Sequence, residues 1–245
     1  CLAAALILPL VFKGGFVVSL LCQMGIMVVF ALSYNMLLGQ TGLLSFGHAV
    51  YYSLGAFVSM HVLNLFGKDG GPLAVALLPL AGGLAGLLAG VVLGYVTTKK
   101  AGTTFAMISL GIGELVAACA LMFPGFFGGE GGVSGNRVVG KGNLLGFTWG
   151  PQIEMYWLIV AWAFLATVAM FALTQTPLGR MANAVRDNPE RAEFVGYDTQ
   201  HVRYLMLILS GFFAGIAGGL TAPHQISLHE DREGDQHDPQ GAEPG

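Results

Sequence analysis

The sequence predicts an all-α fold: a polytopic transmembrane helical bundle with one polar two-helix loop. Three observations predict it. Apolar residues make up 54% of the chain and charged residues 10%, with a mean hydropathy of +0.68. No Lys, Arg, Asp or Glu occurs between Gly14 and Gly67, a longer run than a soluble core needs and one that fits spans of ~20 residues each. Against this background Pro177–Arg203, PLGRMANAVRDNPERAEFVGYDTQHVR, is an island of arginines and acids.

The elements follow from breaks in the apolar pattern. A first partial span, Leu2–Phe12, ends at Lys13-Gly14-Gly15. The second is expected over Phe16–Leu38, with a polar break at Gly39-Gln40-Thr41-Gly42. A third covers Leu43–Phe66 and turns at Lys68-Asp69-Gly70-Gly71-Pro72. A fourth covers Leu73–Thr98 and stops at Lys99-Lys100; a fifth covers Thr103–Phe123. The Gly-rich stretch Pro124–Gln152 follows, then a sixth span at Ile153–Leu173, the polar island, and a seventh at Tyr204–Ala222. The transmembrane domain is thus expected over 1–225, with 177–203 as its polar loop and 226–245 as a disordered polar tail foreign to it. Because the chain opens at Cys1 inside an apolar run and closes on an acidic, Gly/Pro-bearing stretch, it reads as a fragment, truncated at its N-terminus.

Basic residues set the orientation. Lys99, Lys100, Arg180, Arg186, Arg191 and Arg203 fall on one side, and Lys13, Lys68, Arg137 and Lys141 on the other. The first group is larger and clusters at span ends, so its side is assigned to the cytoplasm. The net charge of −3 is too small to indicate a partner. No basic stripe points to nucleic acid. Cys1, Cys22 and Cys119 sit in apolar stretches and read as small core hydrophobes.

Within the island, Leu178, Met181, Ala182 and Val185 keep the i, i+3, i+4, i+7 spacing of an amphipathic helix. Asn188-Pro189-Glu190 restarts the chain: Asn caps, Pro suits the first helical position, and the acid favours the positive helix end. Gly196 supplies the left-handed stop. Two short helices joined at a bend are expected, either as an interfacial anchor or as a rigid knob for a partner to push. Glycines also repeat at every fourth position, at Gly82, Gly86, Gly90 and Gly94 and at Gly211, Gly215 and Gly219. Such ridges let another backbone approach closely, for static packing or for sliding, and both spans are expected to be buried against protein.

Polar residues inside apolar runs are the remaining candidates. The Gly39–Gly47 run, with Gln40, Thr41 and Ser45, is either a broken segment lining a path, with Ser45 and His48 facing inward, or a tight turn. His48 has a packing reading and a substrate or proton reading. Glu114 lies inside a predicted span, where a carboxylate costs about 2.5–3.5 kcal/mol at mid-bilayer. It must face protein or water, as a pathway contact or an interhelical hydrogen bond. No ligand spacing suggests a metal. The GFFGGEGGVSG loop at Gly125–Gly135 lacks the Gly-Lys-Ser/Thr ending of a phosphate loop. It is a docking surface or a connector. No Walker motif is present, so any ATP would be bound elsewhere.

Glu190-Arg191-Ala192-Glu193-Phe194-Val195-Gly196 is similar to the EAA-x-x-x-G coupling signature of ABC-importer permeases, matching at Glu190, Ala192 and Gly196, with Arg191 in place of a small residue. The longer string PLGRMANAVRDNPERAEFVGYD, together with NMLLGQTGLLSFGHA at Asn35–Ala49 and GTTFAMISL at Gly102–Leu110, resembles the branched-chain amino acid permease family, and its second permease subunit in particular. The resemblance implies a coupling loop using Gly179, Arg180, Arg186, Glu190, Ala192 and Gly196. It implies a heterodimer with a homologous permease subunit in the lipid of a bacterial inner membrane, two cytoplasmic ATPase subunits that hold the ATP, and a periplasmic substrate-binding protein. The expected function is ATP-driven import of branched-chain or related amino acids, by a chain that is not itself an enzyme and carries no cofactor. The translocation path would use Gln40, Ser45, His48 and Glu114. Members of the family also carry urea, amides or aromatic compounds. The competing readings are an ion-coupled secondary transporter with Glu114 as its acid, and an intramembrane enzyme using Glu114 and His48; neither gives the paired helices a role.

Overall fold

The computed structural model describes residues 15–128 and 152–237, and side chains there outside 66–74, 124, 152 and 225–237. All regular structure among these residues is helical: α1 Gly15–Thr41, α2 Ala49–Thr97, α3 Thr103–Met122, α4 Pro124–Phe127, α5 Gln152–Gln175, α6 Pro177–Asp187, α7 Pro189–Phe194 and α8 Thr199–His237. Five stretches are long and apolar enough to cross a membrane, namely Gly15–Thr41, Val75–Thr97, Thr103–Met122, Ile153–Gln175 and Thr199–His224; Ala49–Leu65 is a shorter apolar limb. The chain is an all-α polytopic bundle.

α2 is a folded-back pair. Ser59 Oγ donates to the Leu78 carbonyl at 3.1 Å across 19 residues of sequence. A straight helix would hold those residues about 28 Å apart. The limbs Ala49–Leu65 and Val75–Thr97 therefore run back along each other, and α8 packs against both. Of the most apolar stretch of α8, 72% is buried, the largest share among the five. The two glycine ridges meet here. A Cβ at Gly82 would stand 2.5 Å from the Gly215 carbonyl, and one at Gly55 would stand 2.5 Å from the same atom. Gly86 faces the Gly211 carbonyl with no room for a Cβ. With side chains gone, backbone-to-backbone dispersion replaces the hydrophobic drive that lipid cannot supply.

Around this centre α1 and α5 close the core, with Ile26, Val29, Ile159, Met206, Phe213 and Leu220 in one cluster. Hydrogen bonds tie spans whose polar atoms have no water to turn to. Tyr52 OH donates to Thr221 Oγ1 at 2.6 Å, since that hydroxyl gives its own proton to the Ala217 carbonyl. Trp162 Nε1 donates to the Ala76 carbonyl at 3.2 Å.

Two span starts differ from expectation. The third was expected from Leu43, and its helix begins at Ala49. Gly42, at φ 68°, ends α1 with its N–H on the Leu38 carbonyl at 3.0 Å. That left-handed stop turns the chain out of helix until the turn at Phe46–His48. The seventh was expected from Tyr204, and α8 begins at Thr199. Asp198 accepts from the His201 N–H at 3.1 Å, so its first turn is capped though polar. A disordered tail was expected from 226, and the backbone of α8 continues helical to His237. The expectations for Leu2–Phe12, for the turn side chains at Lys68–Pro72, for the loop at 129–151 with Arg137 and Lys141, and for 238–245 lie outside the described residues.

Candidate functional site

The polar island folds as a doubly capped hairpin. Thr176 caps α6, accepting from the Gly179 N–H, with Pro177 at the first helical position. Asn188 ends α6 and caps α7, its Oδ1 accepting from the Arg191 N–H at 3.0 Å, and Pro189 follows. Gly196 takes φ 96°, and the Tyr197 N–H closes on the Ala192 carbonyl at 3.0 Å. Thr199 donates to Glu193 at 2.8 Å and holds the exit. Ala182, Val185 and Ala192 seat the hairpin in the core, with Leu178 and Met181 packed beside them. Gly179 lies against the backbone of Leu173 and Thr174; a Cβ there would stand 2.6 Å from the Thr174 carbonyl. Arg180 and Glu190 are exposed. So is the tip, where Phe194 is 90% exposed and Val195 75%.

The hairpin is clasped to the break between α1 and α2. The Arg186 guanidinium donates through Nη1 to the Gly39 carbonyl, while Nε and Nη2 engage Asp187 Oδ1 at 3.0 and 2.9 Å. The Arg186 stem lies on Gly42, where an added Cβ would stand 3.0 Å from Cγ. At the other end of the break, the Phe46 N–H donates to Ser109 Oγ of α3 at 3.1 Å. Gly47 presses on the Ser109 carbonyl so closely that no Cβ fits.

The other sequence-expected residues have distinct settings. His48 is 2% exposed and ringed by Phe30, Tyr34 and Tyr51. Its Nε2 meets Ser33 Oγ at 3.1 Å, and that hydroxyl donates to the Phe30 carbonyl, so Nε2 carries the proton and Nδ1 has no partner. Ser45 is buried, and the Gln40 Oε1 atom is buried without a partner. Glu114 lies on the exposed side of α3. The backbones next to His48 and Glu114 meet, Gly113 against Gly47, but the two side chains have different surroundings. Sequence reasoning did not single out Ser33 or Ser109. The signal was a lone hydroxyl in an apolar helix, which also suits a local bond to the preceding turn. Among the described residues no group of three or more His, Cys, Asp or Glu is placed to hold a metal.

A bundle of this kind, with spans tied by buried hydroxyls and a capped hairpin between α5 and α8, is a multi-pass membrane protein. Residues 16–228 match the family described as branched-chain amino acid transport system, permease component, and the chain belongs to it. It is 26% identical, over 82% of its length, to the high-affinity branched-chain amino acid transport system permease protein LivM of Escherichia coli (strain K12), covering 51% of that protein. Identity to LivM of Salmonella typhimurium (strain LT2) is 27% over the same shares. A guanosine ABC transporter permease protein, NupQ of Bacillus subtilis (strain 168), is 30% identical over 28% of this chain and 22% of its own. The chain spans about half the length of the LivM proteins it matches. No solved structure matches it significantly.

Proposed function

We propose that this chain is a membrane-spanning permease subunit of an ABC importer in a bacterial cytoplasmic membrane, moving branched-chain or related amino acids with energy from ATP hydrolysed by partner subunits. The observation that carries the reading is the α6–α7 hairpin. It is rigid by its caps, seated in the core by Ala182, Val185 and Ala192, and it presents Phe194 and Val195 uncovered. Adjacent apolar side chains on a water-facing loop are covered when a partner docks, and a capped, core-seated loop passes force where a loose one would absorb it. The coupling residues are Gly179, Arg180, Arg186, Glu190, Ala192 and Gly196, and the hairpin faces the cytoplasm. Two ATPase subunits, a homologous permease subunit and a periplasmic substrate-binding protein complete the assembly. Family membership supports the substrate class, and the binding protein supplies much of its selection.

Gln40, Ser45, His48 and Glu114 remain the residues proposed for the path. Glu114, exposed on α3, is the one that a neighbouring subunit or a water-filled path must cover in the membrane. Purification of the full-length complex from native membranes, with identification of every bound chain, tests the reading. Recovery of ATP-binding subunits is the expected result; a homogeneous protein with no nucleotide-hydrolysing partner would overturn it.

A further inference from the structure

We propose that Arg186 is a positioning residue that carries movement of the α6–α7 hairpin to the span α3, with Gly42–His48 as the strap between them. The inference rests on the importer reading. Its first support is the clasp. The Gly39 carbonyl belongs to the last turn of α1, where helix carbonyls lack partners, and Arg186 donates to it from 147 residues away. A cation there also suits the negative end of α1. Asp187 accepts along another edge of the same guanidinium, at 2.9 Å, so the planar fork is engaged along two edges in a way that one ammonium cannot reproduce.

The second support is the far end of the strap. Phe46 and Gly47 grip α3 at Ser109, by the Phe46 N–H bond and by backbone contact that excludes a Cβ. Gly113 abuts Gly47 one turn further on. The buried residues of α3 are Phe105, Ala106 and Ser109; Ser109 is the one gripped, and Phe105 shares a cluster with Leu43 of the strap. Only 17% of its most apolar stretch is buried, against 72% for α8. A pull on the strap thus displaces α3, while α8 is held between the limbs of α2. α3 is also the span that carries Glu114, one residue past Gly113.

The test uses the assembled importer in proteoliposomes, with the three cysteines replaced by alanine and Thr103→Cys as reporter, since that exposed residue opens α3 at the end of the span, beside Lys99 and Lys100. Labelling by a water-soluble maleimide is followed without nucleotide and with ATP plus vanadate. With Arg186 present, the two rates should differ by about fivefold or more. Arg186→Ala should make them equal, and Arg186→Lys should restore only part of the difference. A full rate difference in Arg186→Ala would overturn the proposal. Ser109→Ala, a loss of one hydroxyl at the strap's far end, is an independent arm: it should at least roughly halve the difference, and an unchanged difference there also overturns the proposal. If the unsubstituted complex hydrolyses no ATP, the importer reading itself fails, and this inference with it.

Discussion

At the residue scale, two positions make the hairpin what it is. Asn188 closes one helix and opens the next with a single side chain. Asn188→Ala should cost about 1 kcal/mol of local stability, read as faster proteolysis between α6 and α7 with the spans intact. Gly196, at φ 96°, is open space for a Cβ, so its demand is conformational. A side chain forced there costs about 1–3 kcal/mol. Gly196→Trp adds bulk beside the exposed tip, and Glu190→Arg reverses the charge at the positive end of α7. Both should abolish ATP-driven uptake while membrane insertion is unchanged. Full uptake in both variants would remove the hairpin from the mechanism. These residues were legible in the sequence because caps and left-handed stops are local chemistry. Arg186 was legible as a loop residue, but its bond to Gly39 was not, since nothing in the sequence near either residue names the other.

At the element scale, the glycine ridges announced close helix approach but not which helices meet. Periodicity marks a face and leaves its partner open, and the pairing of Gly82 and Gly86 with Gly215 and Gly211 emerges only in the fold. The fold-back of α2 was read from the turn residues after Phe66. The helix start at Ala49 was missed because Leu43 and Leu44 continue the apolar composition through an irregular segment. Leucine placed at Gly215 must displace backbone of α2. Overpacking of this kind typically costs about 1–3 kcal/mol, so Gly215→Leu should lower the thermal midpoint of the detergent-solubilised protein. Gly111→Leu, facing open space, should leave that midpoint within error. Equal effects would mean that the ridge contact does not hold the bundle.

At the scale of the whole molecule, hydropathy alone separated the spans, because lipid imposes a length and composition on each. The arrangement around α8, and the strap linking hairpin to α3, needed three dimensions. For the competing ion-coupled reading, Glu114 is decisive: its carboxylate must cycle a proton or cation. For an ATP-driven importer it is a polar contact, and Glu114→Gln should reduce uptake less than Gly196→Trp or Glu190→Arg does. Complete loss with normal folding would favour ion coupling. The central claim is that the capped hairpin sits on an ATP-hydrolysing subunit. It is tested most directly by cross-linking from Phe194→Cys, the most exposed apolar site described, in the full-length complex at rest and during turnover. The account predicts a cross-link to the ATPase in both states; no cross-link to any ATPase in either state would contradict it.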